Sequence, residues 1–302
     1  MGTPDFAVPS LEILLKNGYS IPAVVTAPDK PRGRGQEISP TPIKSVALKR
    51  QIPVLQPEAL KDSQFVSSIE ALKPDLIVVV AFRILPKEVF TVPGLGSFNL
   101  HASLLPKYRG AAPINWAIIK GEKETGVTTF LLQEKVDTGN ILLQARVPIA
   151  PEDDAGTIQD KLAAIGAEIV LHTVRLIEQG KAMPRKQDDS LASPAPKIKK
   201  EDCRIDWNQP AEKVHDFIRG LSPSPGAFTT HKGKVIKVYK SMVIEHKATG
   251  RSGQVRRERE FLEVATGDRM LSILELKQEG RKRMTVSEFL RGYRFEVGDS
   301  FE

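Results

Sequence analysis

Short apolar segments alternate with amphipathic ones through the first half of the chain. Residues 75–80 form an almost continuous aliphatic run, the pattern of a strand covered on both faces. Two more short apolar segments and three helical patterns flank it, at 23–25, 96–100, 9–16, 42–50 and 64–72. This alternation predicts an α/β fold built on a doubly wound, mostly parallel sheet.

The second half follows a different pattern. A long amphipathic helix is predicted from Gly156 to Gln179, and its apolar periodicity ends in a stretch rich in Pro, Ser and Lys. Beyond that stretch, a helical segment at 211–219 precedes short alternating strands such as 235–239, separated by glycine turns. Strands at this spacing favour a small β-barrel. The predicted organisation is a first domain over 1–182, a linker over 183–200 and a second domain over 201–302.

Composition narrows the class of protein. The chain has 302 residues, enough for two domains with substantial cores, and no apolar run is long enough to span a bilayer. Its single cysteine, Cys203, excludes an internal disulfide and fits the reducing cytoplasm, where we expect the protein to act.

The net charge of +7 favours a polyanionic partner. Basic residues cluster in a glycine-rich loop, in the predicted linker and at two places in the last third of the chain. The clusters are Lys30, Arg32 and Arg34; Lys197, Lys199 and Lys200; Arg256, Arg257 and Arg259; and Arg281, Lys282 and Arg283. Each alone fits a solvated face, but together they suggest a track for phosphates.

One segment concentrates candidate chemistry. Asn99 and His101 end an apolar segment, and alternate residues of a strand share a face, so both side chains are expected to enter one pocket. A carboxamide beside an imidazole suits stabilisation of an oxyanion and proton transfer. Asp137 supplies a carboxylate that would fix the tautomer and orientation of the ring. A structural histidine and an ordinary turn give the same pattern, so spacing alone leaves both interpretations open.

Residues 99–114 read NLHASLLPKYRGAAPI, and this run resembles the signature of the folate-dependent formyltransferases. Further segments resemble the same family in the same order, at 2–7, 28–35, 125–128, 136–139, 195–198, 204–207 and 218–223. The resemblance covers nearly the whole chain. It implies a Rossmann-like formyltransferase domain followed by an OB-like β-barrel that binds tRNA.

More narrowly, the resemblance is to the branch that formylates methionyl initiator tRNA for translation initiation, with 10-formyltetrahydrofolate as formyl donor. It makes Asn99, His101 and Asp137 the catalytic residues. It implies folate binding by Ser103, Leu104, Leu105, Pro106, Phe82 and Ile84. It implies tRNA binding by Lys30, Arg32, Arg34, Lys197, Lys199 and Lys200. We expect a monomer without a metal, since the histidines lack metal-ligand spacing.

Two departures from the family pattern stand out. The segment after the aliphatic run, Ala81–Pro86, is one residue shorter than in relatives and lacks their glycine, so weaker folate contacts are expected there. Relatives also carry an apolar strand directly before the loop at 2–7, whereas this sequence starts at Met1. Without that strand, apolar surface and backbone groups of its neighbours are expected to be uncovered.

Two alternatives remain open. A formyltransferase acting on an amino sugar nucleotide or a purine precursor would share the Asn–His–Asp set. A catalytically impaired RNA-binding relative would fit the shortened loop and the absent strand. The basic loop at 28–35 and the segment Arg204–Trp207 favour tRNA.

Overall fold

The computed structural model describes residues 1–32, 37–258 and 260–302. Arg34 and Arg259 lie outside the described residues, as does the side chain of Arg32. The α-helices are α1 Val8–Lys16, α2 Pro42–Lys49, α3 Ser63–Ala71, α4 Lys87–Phe90, α5 Pro113–Ile119, α6 Ala155–Glu178, α7 Ala211–Gly220 and α8 Val286–Gly292. The strands are β1 Val24–Val25, β2 Lys30–Arg32, β3 Glu37–Ser39, β4 Val54–Leu55, β5 Ile77–Val80, β6 Ser97–His101, β7 Arg109–Gly110, β8 Glu124–Leu131, β9 Ile141–Pro148, β10 Pro194–Ala195, β11 Ala227–His231, β12 Lys234–Lys247, β13 Val255–Glu258, β14 Phe261–Ala265, β15 Arg269–Gln278 and β16 Met284–Thr285.

The chain divides into two compact units. The first unit comprises Met1–Ala111, Thr125–Pro148 and Gln159–Ala195. The second unit comprises Ala112–Glu124, Ile149–Ile158 and Pro196–Glu302. Among the described residues, no helix has both the length and the apolar character needed to cross a bilayer.

The first unit contains the mostly parallel sheet that the alternation predicts. β1 pairs with β4, and β5 pairs with β6, both in parallel. Gly2 links the two pairs, through a parallel bridge to Val80 and a 3.0 Å hydrogen bond from its N–H to the carbonyl of Val25. β8 is antiparallel to β6, and β9 follows it at the edge. Since β5 and β6 run in the same direction, the segments that follow them, 81–86 and 102–108, lie at one edge of the sheet.

Burial explains the aliphatic run at 75–80. Ile77, Val79 and Val80 are at most 5% exposed, and the first two pack in a core with Phe65 and Ile69 of α3. The predicted helices at 9–16, 42–50 and 64–72 are confirmed as α1, α2 and α3, and the long helix is confirmed as α6.

Residues 183–195, for which composition predicts a linker, are part of the first unit. Ile141 and Arg185 exchange two backbone hydrogen bonds of 2.8 Å, and β10 pairs in parallel with β7. Pro and Ser in this stretch therefore belong to an extended segment that is paired with the rest of the unit.

The second unit is built on antiparallel strands in the order β11-β12-β15-β14-β13, with β16 on β15. Its core includes Trp207, Ile218 and Phe289, together with Cys203 at 2% exposure, whose thiol pKa is raised by burial. The described strands β11 and β13 do not pair with each other, so the predicted closed barrel is not confirmed.

Residues 299–302 hydrogen-bond to both outer strands of that sheet. Thr230 of β11 and Glu302 exchange two backbone bonds of 3.0 Å. At the other side, the N–H of Val255 in β13 donates to the carbonyl of Asp299 at 2.8 Å. The segment thus contacts the outer strands β11 and β13.

Candidate active site

The two ring nitrogens of His101, at the end of β6, have different surroundings. Nε2 lies 2.8 Å from the backbone carbonyl oxygen of Tyr108. A carbonyl oxygen only accepts hydrogen bonds, so Nε2 carries the proton of the neutral ring and Nδ1 is the basic nitrogen. The expectation that Asp137 fixes the tautomer is therefore corrected: the carbonyl of Tyr108 does so.

Asp137 faces the other nitrogen. Its Oδ2 atom is 3.9 Å from Nδ1 of His101, with both side chains almost buried. This distance is too long for a hydrogen bond, but it places a negative charge opposite Nδ1 whenever that atom is protonated. The same carboxylate oxygen accepts a 2.9 Å hydrogen bond from the backbone N–H of Gly110.

Asn99 lies two residues before His101 on β6 and is partly exposed. Its neighbours Phe98 and Leu100 are buried on the opposite face of the strand. Within the described part of the chain, no protein group hydrogen-bonds its carboxamide. The structure therefore places Asp137 opposite the ring of His101, puts Asn99 on the same face of β6 as His101, and leaves the amide of Asn99 available to a ligand.

The turn that carries Asp137 has a demanding backbone. Asp137 adopts a φ of 55°, a left-handed conformation that is unusual for a residue with a side chain. A Cβ on Gly139 would lie 1.7 Å from the carbonyl oxygen of Leu131, so only glycine fits there. The turn Val136–Gly139 therefore has a specific backbone conformation that most sequences could not adopt.

A residue that sequence reasoning missed holds this turn. Gln187, only 5% exposed, donates through Nε2 to the carbonyls of Asp137 at 2.9 Å and Gly139 at 2.8 Å. Its Oε1 accepts from Nε of Arg109 at 3.1 Å and from Nη2 of Arg109 at 2.7 Å. A single amide in a polar, proline-rich stretch has no periodicity or motif that would have indicated this role.

The predicted folate residues after β6 fall into two groups. Ser103 and Leu105 are buried, and the hydroxyl of Ser103 donates to the carbonyl of Lys107 at 2.6 Å. Their side chains brace the segment. Leu104 and Pro106 are partly exposed, so they and the backbone form its accessible surface. Gln144 holds the segment through a 2.9 Å hydrogen bond from Nε2 to the carbonyl of Leu105.

The segment 81–86, predicted to be shorter than in relatives, is held by an arginine. Arg83 donates from Nη2 to the carbonyl of Pro57 at 2.6 Å and from Nη1 to that of Glu58 at 2.8 Å. Its guanidinium also lies 5.3 Å from the ring centre of Phe82. Ile84 is 72% exposed at the same sheet edge as the 102–108 segment. Ile84, Leu104 and Pro106 thus offer exposed or partly exposed apolar side chains in the segments that follow β5 and β6.

The predicted tRNA residues occur in both units. Lys30 is exposed on β2, which is antiparallel to β3, while Lys197, Lys199 and Lys200 are exposed in the second unit. Arg34 and the side chain of Arg32 lie outside the described residues.

A polar network supports the start of the basic loop. Lys44 pairs with Asp29 and donates to Oε1 of Gln56 at 2.6 Å. Gln56 in turn donates from Nε2 to Oδ1 of Asp29 and to the carbonyl of Ala27, both at 2.8 Å. Lys44, and secondarily Gln56, hold the pKa of Asp29 below its usual value. The described side chains contain no group of three or more candidate metal ligands.

Comparison with known proteins gives matches over both units. The family model "Formyl transferase" matches residues 1–174, and the model "Formyl transferase, C-terminal domain" matches residues 197–294. A methionyl-tRNA formyltransferase of Caldanaerobacter subterraneus subsp. tengcongensis is 48% identical over 300 residues, covering 99% of this chain and 97% of the relative. One of Chlorobium limicola is 50% identical over 304 residues, covering 98% and 96%.

Solved structures are similar in fold. WlaRD, a sugar 3N-formyl transferase, matches with a TM-score of 0.68 and 20% identity over 93% of this chain and 97% of its own. HypX from Aquifex aeolicus, solved with tetrahydrofolic acid, matches with a TM-score of 0.61 and 23% identity over 84% of this chain and 47% of its own. At these identities the similarity concerns the fold alone.

Proposed function

Because the chain belongs to the formyl transferase family, we propose that it transfers a formyl group from 10-formyltetrahydrofolate to the amino group of methionyl initiator tRNA. The observation that supports the proposal is the pairing of His101, at the end of β6, with Asp137, beside Asn99 on the same face of the strand. Near full-length similarity to methionyl-tRNA formyltransferases supports the choice of acceptor. With these substrates, we expect the reaction to take place in the cytoplasm.

The reaction sets two chemical demands. A bond forms between the amine nitrogen and the formyl carbon, and the bond between that carbon and the folate nitrogen breaks. One proton must leave the amine, one must reach the folate nitrogen, and negative charge develops on the formyl oxygen in between. The site therefore needs a hydrogen-bond donor for that oxygen and a group that exchanges protons.

The residues present meet these demands. The carboxamide of Asn99 is free to donate to the formyl oxygen. His101 holds its Nε2 proton on the carbonyl of Tyr108, which leaves Nδ1 to take the proton from the amine. Asp137, 3.9 Å away, then stabilises the imidazolium that forms. In this proposal the same Nδ1 proton passes to the departing folate nitrogen.

The formyl donor itself supplies an activated one-carbon group bonded to nitrogen. We assign its ring system to the surface of Leu104, Pro106, Phe82 and Ile84, with Ser103 and Leu105 shaping that surface from beneath. We assign phosphates of the tRNA to Lys30, Arg32 and Arg34 and to Lys197, Lys199 and Lys200. Such contacts give affinity that depends on salt rather than base sequence.

A formylation assay tests the proposal. Purified protein is given 10-formyltetrahydrofolate with methionyl initiator tRNA, and in parallel with a dTDP-linked amino sugar. We expect formyl transfer to the tRNA alone. Asn99→Ala should lower kcat about 10²- to 10³-fold, the usual cost of one oxyanion donor. Asn17→Ala, which removes an exposed amide that donates to the carbonyl of Ile13 and accepts from Arg175, is the matched control.

Two outcomes decide between the alternatives. Transfer to the amino sugar in place of tRNA would identify a sugar-nucleotide enzyme. Tight tRNA binding with no transfer to either acceptor would identify the impaired RNA-binding relative.

A further inference from the structure

The hydrogen bonds of Gln187 use the full capacity of its amide. A glutamine side chain has two N–H donors and one oxygen with two lone pairs. In Gln187 both donors go to backbone carbonyls of the Asp137 turn, and the oxygen accepts twice from Arg109. The side chain is buried, so loss of either partner would leave a polar group without compensation.

Arg109 connects this amide to both reacting side chains. The residue before it, Tyr108, provides the carbonyl that accepts from His101. The residue after it, Gly110, provides the N–H that donates to the carboxylate of Asp137. Asp137, Gln187, Arg109 and Gly110 therefore form a closed ring of contacts, with His101 attached through the adjacent Tyr108.

This ring bears on the geometry of Asp137 in particular. Its left-handed backbone is unfavourable for an aspartate and persists only where surrounding contacts hold it. Gln187 supplies two of those contacts from the far side of the turn. The N–H of Gly110 donates a hydrogen bond to the carboxylate of Asp137. The backbone and the side chain of Asp137 are therefore both held in place.

We propose that Gln187 is a positioning residue for the reaction: it holds the turn so that the carboxylate of Asp137 faces Nδ1 of His101. This inference rests on the proposed function for its catalytic consequence, but its structural part stands on the contacts alone. Gln187 acts through Asp137 and does not contact the substrates.

The test uses two substitutions of similar size to glutamine. Gln187→Leu removes every hydrogen bond. Gln187→Glu keeps the length of the side chain and pairs with Arg109, but a carboxylate cannot donate to the carbonyls of Asp137 and Gly139. Gln187→Glu adds a second carboxylate beside Arg109, which already pairs with Asp189, so we expect this variant to fold, and its melting temperature checks this. Both variants should lose about 10- to 100-fold in kcat, with KM for folate and tRNA within about twofold of the parent.

A second measurement does not depend on activity. The Gly110 N–H is bonded to Asp137, so its hydrogen exchange, followed by NMR, reports whether the carboxylate stays in place. We expect exchange at Gly110 to quicken at least about tenfold in both variants. Gln56→Leu is the matched control, since the amide of Gln56 bonds Asp29 and Ala27 instead, and it should leave Gly110 exchange unchanged.

Each outcome has one meaning. Unchanged exchange at Gly110 in Gln187→Leu would overturn the positioning role, whatever the activity. Faster exchange with an unchanged kcat would overturn its importance for catalysis. A parent protein that transfers no formyl group would overturn the proposed function, while the exchange measurement would still decide whether Gln187 holds Asp137.

Discussion

The backbone N–H of Gly110 donates to Oδ2 of Asp137, the same oxygen that faces the imidazole of His101. One carboxylate oxygen is thus held by a neutral donor and kept beside a titratable ring. This arrangement fixes the position of the negative charge whether or not the ring is protonated. A substitution can therefore remove the negative charge of Asp137 and keep the hydrogen bond from Gly110.

Asp137→Asn is that substitution. Asparagine still accepts from Gly110 but carries no charge to stabilise a protonated His101. We expect kcat for formylation to fall about 10²- to 10⁴-fold with little change in KM. Steady-state kinetics measure the effect, and Asp160→Asn, an exposed substitution on α6, is the control. Activity within twofold of the parent would show that the charge of Asp137 is dispensable.

Gln144→Leu should affect a different parameter. The amide of Gln144 donates to the carbonyl of Leu105 and to Oγ1 of Thr128, both at 2.9 Å. Without these bonds the 102–108 segment loosens, and we expect KM for the folate to rise about 2- to 10-fold, the range of one or two net hydrogen bonds. Gln56→Leu, the same change beneath the basic loop, should instead weaken tRNA binding. An equal effect of both variants on folate would contradict the assignment.

The basic loop should control the salt dependence of tRNA binding. Replacing Lys30, Arg32 and Arg34 by Ser removes up to three phosphate contacts. We expect the slope of log K against log salt concentration to fall by about 1 for each lost contact, with folate binding unchanged. Lys49→Ser, at the exposed end of α2, is the control. A slope identical to that of the parent would exclude this loop as a phosphate contact.

The amino group of Met1 should make stability depend on pH. It is buried, donates to the carbonyl of Val78 at 2.7 Å, and burial lowers its pKa from 8.0 to about 5. Between these values the unfolded chain binds a proton that the folded chain has released, so stability rises with pH from about 5 to about 8. The full change is about 4 kcal/mol.

Urea unfolding of the free and the amino-terminally acetylated protein measures this effect. The acetylated form has no charge to desolvate, so the difference between the two should be largest near pH 5 and vanish above pH 8. Parallel stability curves would show that the amine is hydrated in the folded state.

A cavity of about 140 Å³ adjoins Met1 and is lined mainly by apolar side chains, among them Leu11, Val24, Ile69 and Val78. No lining residue has an ionisable side chain. Four apolar residues placed before Met1 should enter the cavity and raise the melting temperature by several degrees. At about 24 cal/mol per Å³, filling 140 Å³ is worth about 3 kcal/mol.

A Gly-Ser extension of equal length is the control for that experiment. It satisfies backbone groups without filling the apolar space, so it should stabilise the protein less. Equal melting temperatures for the two extensions would show that apolar side chains do not fill the cavity beside Met1.

Sequence patterns predicted the parts of this site that depend on periodicity. Alternation placed Asn99 and His101 on one face of a strand, and the aliphatic run located the strand beside them. Patterns did not predict the hydrogen-bond partner of the His101 ring. That partner is a backbone carbonyl, and every residue has one, so the sequence does not mark which carbonyl is used. The structure assigns that role to Tyr108.

Two features of the site depend on burial and on long-range contacts, which sequence patterns do not reveal. Ser103 and Leu105 belong to the motif that implies folate binding. Their side chains are buried, so they support the segment from within. Gln187 lies in a stretch that reads as a linker, and its role depends on contacts with residues 48 to 78 positions away. Such long-range hydrogen bonds leave no local signal in a sequence.

The hydrogen bonds of residues 299–302 to both β11 and β13 have a consequence for self-association. An exposed strand edge is a template on which another molecule can add a strand. Here both templates are occupied from within the same polypeptide, at Thr230 on one side and Val255 on the other. We expect release of this short segment to expose the edges of β11 and β13 to strand addition by a second copy of the protein.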